Sequence, residues 1–359
     1  MRIGVLTFHN AINYGAILQT YATQHYLEAM GHEVTIIDYR NQSIENAYLP
    51  YTFSLLRLFH RKPWNILPYL LTTFSYSKKR KKQYVFCKSE LSLSHRQYFE
   101  GDTLDEFDIV LIGSDQVWNP NFTGGFDTFY WGQFEHGNSK VVAWAASSKE
   151  KALNNSDRKI IETSLGNFTA ISVREQELKA FLSPISSQQI HVLPDPTLLL
   201  TKTEWKKLCH SVKEKDYILV YAMENEQDAI RIVEKLARKR TKKIIIINPY
   251  SHVRIQKGYK TTLSPYDFLS YFMYADEIMS VSFHGTAFSL IFEKQFYCYI
   301  AKGKSNVRIE SILKQIGLES RIINEDTNLD ELSVIDFNGV NSQLEKLRKT
   351  AFYFFQSLN

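Results

Sequence analysis

The stretch Ser282-Phe283-His284-Gly285-Thr286 puts a hydroxyl, an imidazole and a glycine side by side where an apolar strand gives way to a helix. An imidazole titrates near neutral pH, glycine lets a ligand come close to the backbone, and a helix N-terminus offers free N–H groups to an anion. Three more polar loops follow predicted strands, the place where open α/β sheets bind ligands. Gly113-Ser114-Asp115-Gln116-Val117-Trp118-Asn119-Pro120 joins an acid, two amides and an indole. Asp115 suits a general base toward a sugar hydroxyl and Trp118 a platform for a sugar ring, although the same residues also build ordinary turns. His9-Asn10-Ala11-Ile12-Asn13-Tyr14-Gly15-Ala16 leads into a helix, and either receives an anion there or is simply capped by Asn13. It lacks the G-x-G-x-x-G spacing, so a dinucleotide is not indicated. Ser172-Val173-Arg174-Glu175 ends a strand with a guanidinium fork suited to a carboxylate or phosphate, or to a surface ion pair.

Taken in chain order, these loops resemble the polysaccharide pyruvyl transferase family. The resemblance is carried by IGVLTFHNAINYGAILQTYA (3–22), IGSDQVWNP (112–120), ISVRE (171–175), LPDPTLLL (193–200) and VSFHGTAFSLIFEKQF (281–296). It implies a GT-B-like α/β fold, two Rossmann-like domains facing across a cleft. It also implies transfer of pyruvate from phosphoenolpyruvate, as donor substrate and without a cofactor, onto two hydroxyls of a sugar to give a ketal. The implied acceptor is a saccharide of a surface polysaccharide, such as an exopolysaccharide or capsule, or its lipid-linked precursor. Arg174 and His284 match positions that contact the donor.

Some family members carry an arginine two residues before the histidine, where this chain has Ser282. Arg308, Lys302 and Lys304 are the candidates to replace it. The donor carries a phosphate and a carboxylate, its methylene carbon gains a proton, and a sugar hydroxyl loses one. His284 is assigned to supply that proton or hold the phosphate, Asp115 to take the hydroxyl proton, and Arg174 to neutralise the donor. Asn13, Tyr14, Gly15, Ser114, Gln116, Trp118, Asn119, Ser282, Gly285, Thr286 and Arg308 are expected to line the substrate site. No H-E-x-x-H or acidic ligand run calls for a metal. Two other readings fit the fold: a GT-B glycosyltransferase using a nucleotide sugar, and a non-catalytic saccharide-binding protein.

Alternating strands and helices must position these loops. Strand 2–8, helix 15–30 and strand 33–39 form a β-α-β unit, with Gly31 closing the helix. Residues 41–100, with Pro50, Pro63 and Pro68, read as a helical insertion. Strands at 108–112, 141–145 and 170–173 complete an N-terminal domain, 1–182. A second block, 183–339, holds strands at 190–193, 217–222, 243–247, 277–282 and 296–300, and the closing helix, 340–359, is able to return to the first domain.

The chain has 359 residues with a net charge of +5, which leans toward anionic ligands rather than nucleic acid, for which no binding motif is present. Its three cysteines are widely spaced and its first residues read as a strand rather than a leader, so a cytoplasmic enzyme is expected. Residues 63–76 are apolar and aromatic, and five basic residues follow at 78–82. The segment 63–82 therefore reads either as a peripheral contact with the inner face of the cell membrane or as a solvated basic turn beside a buried helix.

Overall fold

Runs such as Ile109-Val110-Leu111-Ile112 and Tyr217-Ile218-Leu219-Val220-Tyr221 are buried along their whole length, as strands covered on both faces must be. A computed structural model describes residues 1–48, 66–148, 153, 157–222, 227–248 and 258–358. Its strands form two sheets, and every pairing is parallel. The first contains β1 (Arg2–Leu6), β2 (Glu33–Tyr39), β3 (Leu93–Tyr98), β4 (Ile109–Ile112), β5 (Lys140–Ala146), β6 (Ala170–Val173) and β7 (Ile190–Val192). The second contains β8 (Tyr217–Tyr221), β9 (Lys243–Ile247), β10 (Tyr259–Lys260), β11 (Glu277–Ser280), β12 (Gln295–Tyr299) and β13 (Ile322–Ile323).

The strand orders are β3-β2-β1-β4-β5-β6-β7 and β10-β9-β8-β11-β12-β13. Each begins at an inner strand, runs outward one way, then jumps back and runs the other way. That is the Rossmann-like order, with its reversal beside β1 in one sheet and beside β8 in the other. Helix starts follow local chemistry. Ser264 and Asp267 form a capping box before the helix Pro265–Tyr274, with Pro265 in its first turn. Gly31 takes φ +87° just beyond the helix Tyr14–Ala29, the left-handed turn that glycine adopts without strain.

The chain divides into two compact units. The first takes the described residues of 1–50, 87–200 and 346–359; the second takes those of 51–86 and 201–345. The change of unit after Leu200 is later than the 182/183 boundary read from sequence. The reason is that β7 pairs with β6 and so belongs to the first sheet, not to the second block. The helical insertion also contains a strand, β3, paired with β2 at the sheet edge. Its sequence, LSHRQY, lacks the apolar run that marks inner strands. Pro50, Pro63 and residues 63–65 lie outside the described residues.

Within the first unit, Trp144 packs against Phe354 and Phe355 of the closing helix, Phe337–Gln356, and the Arg348 guanidinium donates to the Leu198 carbonyl. Within the second unit, the helix Ile66–Glu90 is tied down by the Lys82–Asp267 ion pair at 3.0 Å and by Phe86 edge-on to Tyr266. Among the described residues no helix is long and apolar enough to cross a membrane.

The same helix buries Lys79, and burial pulls its ammonium from 10.5 down to about 7. Between those values the unfolded chain holds a proton that the folded chain has released, so stability rises with pH across the window. Below about pH 7 both states carry the proton, and the pH dependence from this group ends. Lys79→Met is therefore expected to be more stable than the parent near neutral pH by on the order of 3 kcal/mol, with the gap shrinking toward pH 10. Urea denaturation of both proteins across this range checks it.

Candidate functional site

The loops after β1 and β4 flank the reversal of the first sheet, and hydrogen bonds join them. Thr7 Oγ1 donates to the Ser114 carbonyl at 3.1 Å and accepts from Gln19 Nε2 at 2.8 Å. His9 Nε2 meets Asp38 Oδ1 at 2.7 Å, both buried, and Arg40 binds the same carboxylate. Burial raises the Asp38 pKa, but hydrogen bonds from His9 and Arg40 outweigh it and hold the carboxyl below its ordinary range. Asn13 caps the first helix, its Oδ1 accepting from Gly15 N at 2.9 Å. In the second loop Gly113 lies so close to the backbone of Trp144 that a Cβ would stand 2.3 Å from the Trp144 oxygen. Asp115 follows with φ +65°, and its Oδ1 accepts from Gln116 N at 2.8 Å.

Together the loops wall a pocket of about 110 Å³. Asn13, Asp115 and Gln116 supply its polar groups, while Phe8, Ile44 and Phe122 are among its apolar lining. Asp115 and Gln116 keep only a sliver of exposed surface, whereas Phe122 is 48% exposed. Phe8 and Phe122 were not among the residues picked from sequence; the signal for Phe122 was its place two residues beyond the Gly113–Pro120 loop.

Four expected ligand contacts are corrected. Trp118 is fully buried, stacked on Trp131 at 4.4 Å, and its Nε1 donates to the Tyr130 carbonyl at 2.8 Å, so it is core and not a sugar platform. Ser114 is buried and its Oγ donates to the Ala145 carbonyl at 2.9 Å. Asn119 is buried, donates to Gln116 Oε1 at 2.8 Å and caps the short helix Pro120–Thr123. Tyr14 is buried in the first turn of its helix.

Arg174 is corrected as well. Its guanidinium is buried, with Nη1 at 2.6 Å from Asp195 Oδ2, Nε at 3.0 Å from Glu175 Oε1 and Nη2 at 2.8 Å from Ser147 Oγ. Burial pulls its pKa down, but the charges of Glu175, Asp195 and Asp115 more than offset this and push it up. The fork is occupied by protein carboxylates, which leaves it no face to offer a donor anion. It ties together the chain just past β5, β6 and β7. Asp195 lies in the LPDPTLLL stretch, whose polar residue was the available signal.

In the second unit the loop after β11 lies at that sheet's reversal, beside β8. Ser282 caps the helix Phe283–Ile291, its Oγ accepting from Gly285 N at 3.1 Å. Gly285 is fitted tightly: a Cβ there would stand 2.2 Å from Ser280 Oγ and 2.8 Å from the Tyr221 ring. Thr286 is buried, bonded through Oγ1 to the Ser282 carbonyl at 3.0 Å and 3.1 Å from Cys298 Sγ. His284 is half-buried, edge-on to Phe283 at 5.3 Å. Of the replacement cations, Lys302 is exposed and paired with Asp326 at 2.8 Å, Lys304 is exposed, and Arg308 is half-buried in the first turn of the helix Val307–Ile316. The predicted residues thus fall into two groups: Asn13, Gly15, Asp115, Gln116 and Arg174 in the first unit, and Ser282, His284, Gly285, Thr286 and Arg308 in the second.

A family model described as polysaccharide pyruvyl transferase matches residues 13–301. Among curated proteins, none matches the chain. Solved structures with a similar course include a UDP-GlcNAc 2-epimerase from Methanocaldococcus jannaschii, with 12% identity over 97% of this chain and 93% of that one and a TM-score of 0.46. A glycosyltransferase from Streptomyces nogalater has 12% identity over 98% and 95%, with a TM-score of 0.39. At these scores the likeness carries no argument about function.

Removing the Arg174 charge leaves Glu175 and Asp195 buried without their cation. Arg174→Met is expected to lower the unfolding free energy by about 3–5 kcal/mol, measured by urea denaturation. A loss near zero would show that the cluster does not hold this region together.

Proposed function

The chain belongs to the polysaccharide pyruvyl transferase family, and from that premise we propose that it moves pyruvate from phosphoenolpyruvate onto two hydroxyls of a saccharide, forming a ketal. The observation that carries the acceptor side is the pocket between the β1 and β4 loops. There a carboxylate and two amides sit beside exposed Phe122, the mix of hydrogen-bonding groups and apolar ring that suits a sugar. The donor side rests on the Ser282–Thr286 loop, where a helix N-terminus and His284 suit an anion.

In the reaction, C2 of phosphoenolpyruvate gains two bonds to sugar oxygens and loses its bond to the phosphate oxygen. The two hydroxyl protons leave; one ends on the methylene carbon, making it methyl, and the other leaves with phosphate. Asp115 takes a hydroxyl proton, and His284 delivers the proton to carbon or holds the departing phosphate. Arg174 acts as a positioning residue. Gly285 acts indirectly: its missing Cβ makes room for Ser280 and Tyr221 beneath the His284 loop. Arg308, Lys302 and Lys304 are the candidates for the cation absent at Ser282. The acceptor is a sugar of a surface polysaccharide, such as an exopolysaccharide or capsule, or of its lipid-linked precursor.

Phosphate release from phosphoenolpyruvate that depends on an added glycan, with a product heavier by one pyruvyl group, is the expected result. Thermal stabilisation and turnover by a UDP-sugar but not by phosphoenolpyruvate would overturn the reading in favour of a glycosyltransferase. His284→Ala and Asp115→Asn are each expected to lower kcat by about 10²–10⁴-fold with the fold intact. Wild-type turnover in a folded His284→Ala protein would remove the catalytic role. Phe122→Ala is expected to raise the acceptor KM by roughly tenfold with little change in kcat, the signature of lost ground-state stacking.

A further inference from the structure

The helix Ile66–Glu90 turns leucines and a phenylalanine outward in its first turns. Its inward side carries Tyr69, Thr73, Tyr76, Lys79, Gln83 and Phe86, all buried. Its outward side carries Leu67 (64% exposed), Leu70, Leu71 and Phe74 (70% exposed). Amphipathic helices normally bury the leucines and expose the lysine; here Lys79 and Gln83 are inside and the leucines are outside. Exposed apolar surface gathered in one place marks a contact site.

The outward residues follow helical spacing: 67, 70, 71, 74, 78, 81, 85 and 88. They form one stripe about 30 Å long. The first two turns are leucine and phenylalanine. Lys78 and Lys81 come next, then Val85 with Tyr84 beside it, and Lys88 after them, all exposed. From Ile66 to Ser89 the helix contains no acidic residue.

We propose that this stripe docks the protein on an anionic membrane surface. The apolar turns enter the interface between headgroups and acyl chains, and the lysines lie against headgroup phosphates. The charge pattern selects this occupant. A second copy packed stripe to stripe would set the lysines against other lysines or against the apolar turns, with no acidic residue to pair them, whereas an anionic bilayer offers phosphates to the lysines and the acyl boundary to the leucines and phenylalanine. The stripe is too short of apolar length to span a bilayer, so the contact is peripheral. Residues 63–65, the start of the apolar stretch in the sequence, lie outside the described residues and are not needed for the argument. Docking would bring the protein to a lipid-linked saccharide, but it stands apart from the transfer reaction, and its test reads binding alone.

The test is co-sedimentation of the full chain with vesicles of phosphatidylcholine, with and without phosphatidylglycerol. Binding to the anionic vesicles at low salt, weakened by added salt and weak or absent on the neutral ones, is expected. Lys78→Glu combined with Lys81→Glu should lower the partition coefficient at least about tenfold. Leu71→Ser combined with Phe74→Ser should remove the binding that survives high salt. Both pairs lie on the exposed face, so an unchanged thermal unfolding midpoint confirms that each variant is folded. No binding of the parent protein at low salt, equal binding to neutral vesicles, or folded variants that bind like the parent would each overturn the proposal. So would a dimer, seen by light scattering, that Phe74→Ser separates, since the stripe would then belong to a second copy.

Discussion

A parallel sheet that starts from an inner strand must at some point reverse the direction in which it grows. Beside that reversal the connections leave on opposite faces and a crevice opens at the strands' carboxyl ends. Both sheets here reverse next to their first strand, between β1 and β4 and between β8 and β11. The rest of the candidate site depends on this. The loop after β1 and the loop after β4 come from residues over a hundred positions apart, yet Thr7 and Ser114 are hydrogen-bonded because their strands are neighbours. The Ser282–Thr286 loop holds the equivalent place in the second sheet.

The loops are held by polar groups bonded within the protein. Arg174, Glu175, Asp195 and Ser147 form a buried cluster that joins three successive strand ends. Such clusters add little net stability over an apolar packing of the same volume, because desolvation offsets most of the attraction. What the cluster supplies is geometry: a forked cation accepts only a narrow set of positions for its partners. Asn13 and Ser282 work the same way on a smaller scale, each fixing the start of one helix. Asp115, Gln116 and Phe122 of the pocket, and His284 in the second unit, rest on this fixed frame.

Much of this was legible in the residues. Inner strands announced themselves as unbroken apolar runs, and the four polar loops sat where such strands end. Gly31 read correctly because caps are local chemistry, and the cap was one of the two readings open for Asn13. What was not legible depended on packing. Trp118 reads as a sugar platform or as core with equal ease, and only its stack on Trp131 decides. Arg174 reads as a donor cation on the family resemblance, and its partners Ser147 and Asp195 stay hidden because they come from distant strand ends. β7 was assigned to the wrong sheet because a short apolar strand carries no mark of its neighbour. β3, an edge strand with polar residues, had no run to betray it.

Gly285 has a consequence for how such a site can change over time. The space beneath it is already filled by Ser280 and Tyr221, which stand on β11 and β8. The height of the histidine loop above its sheet is therefore set from below, by side chains with no route to the substrate. Replacing Ser280 by alanine or Tyr221 by a smaller residue would let the loop settle, and enlarging Ser280 would lift it. Selection for a new donor can act through these hidden floor positions and move His284 without altering a single residue that a ligand touches.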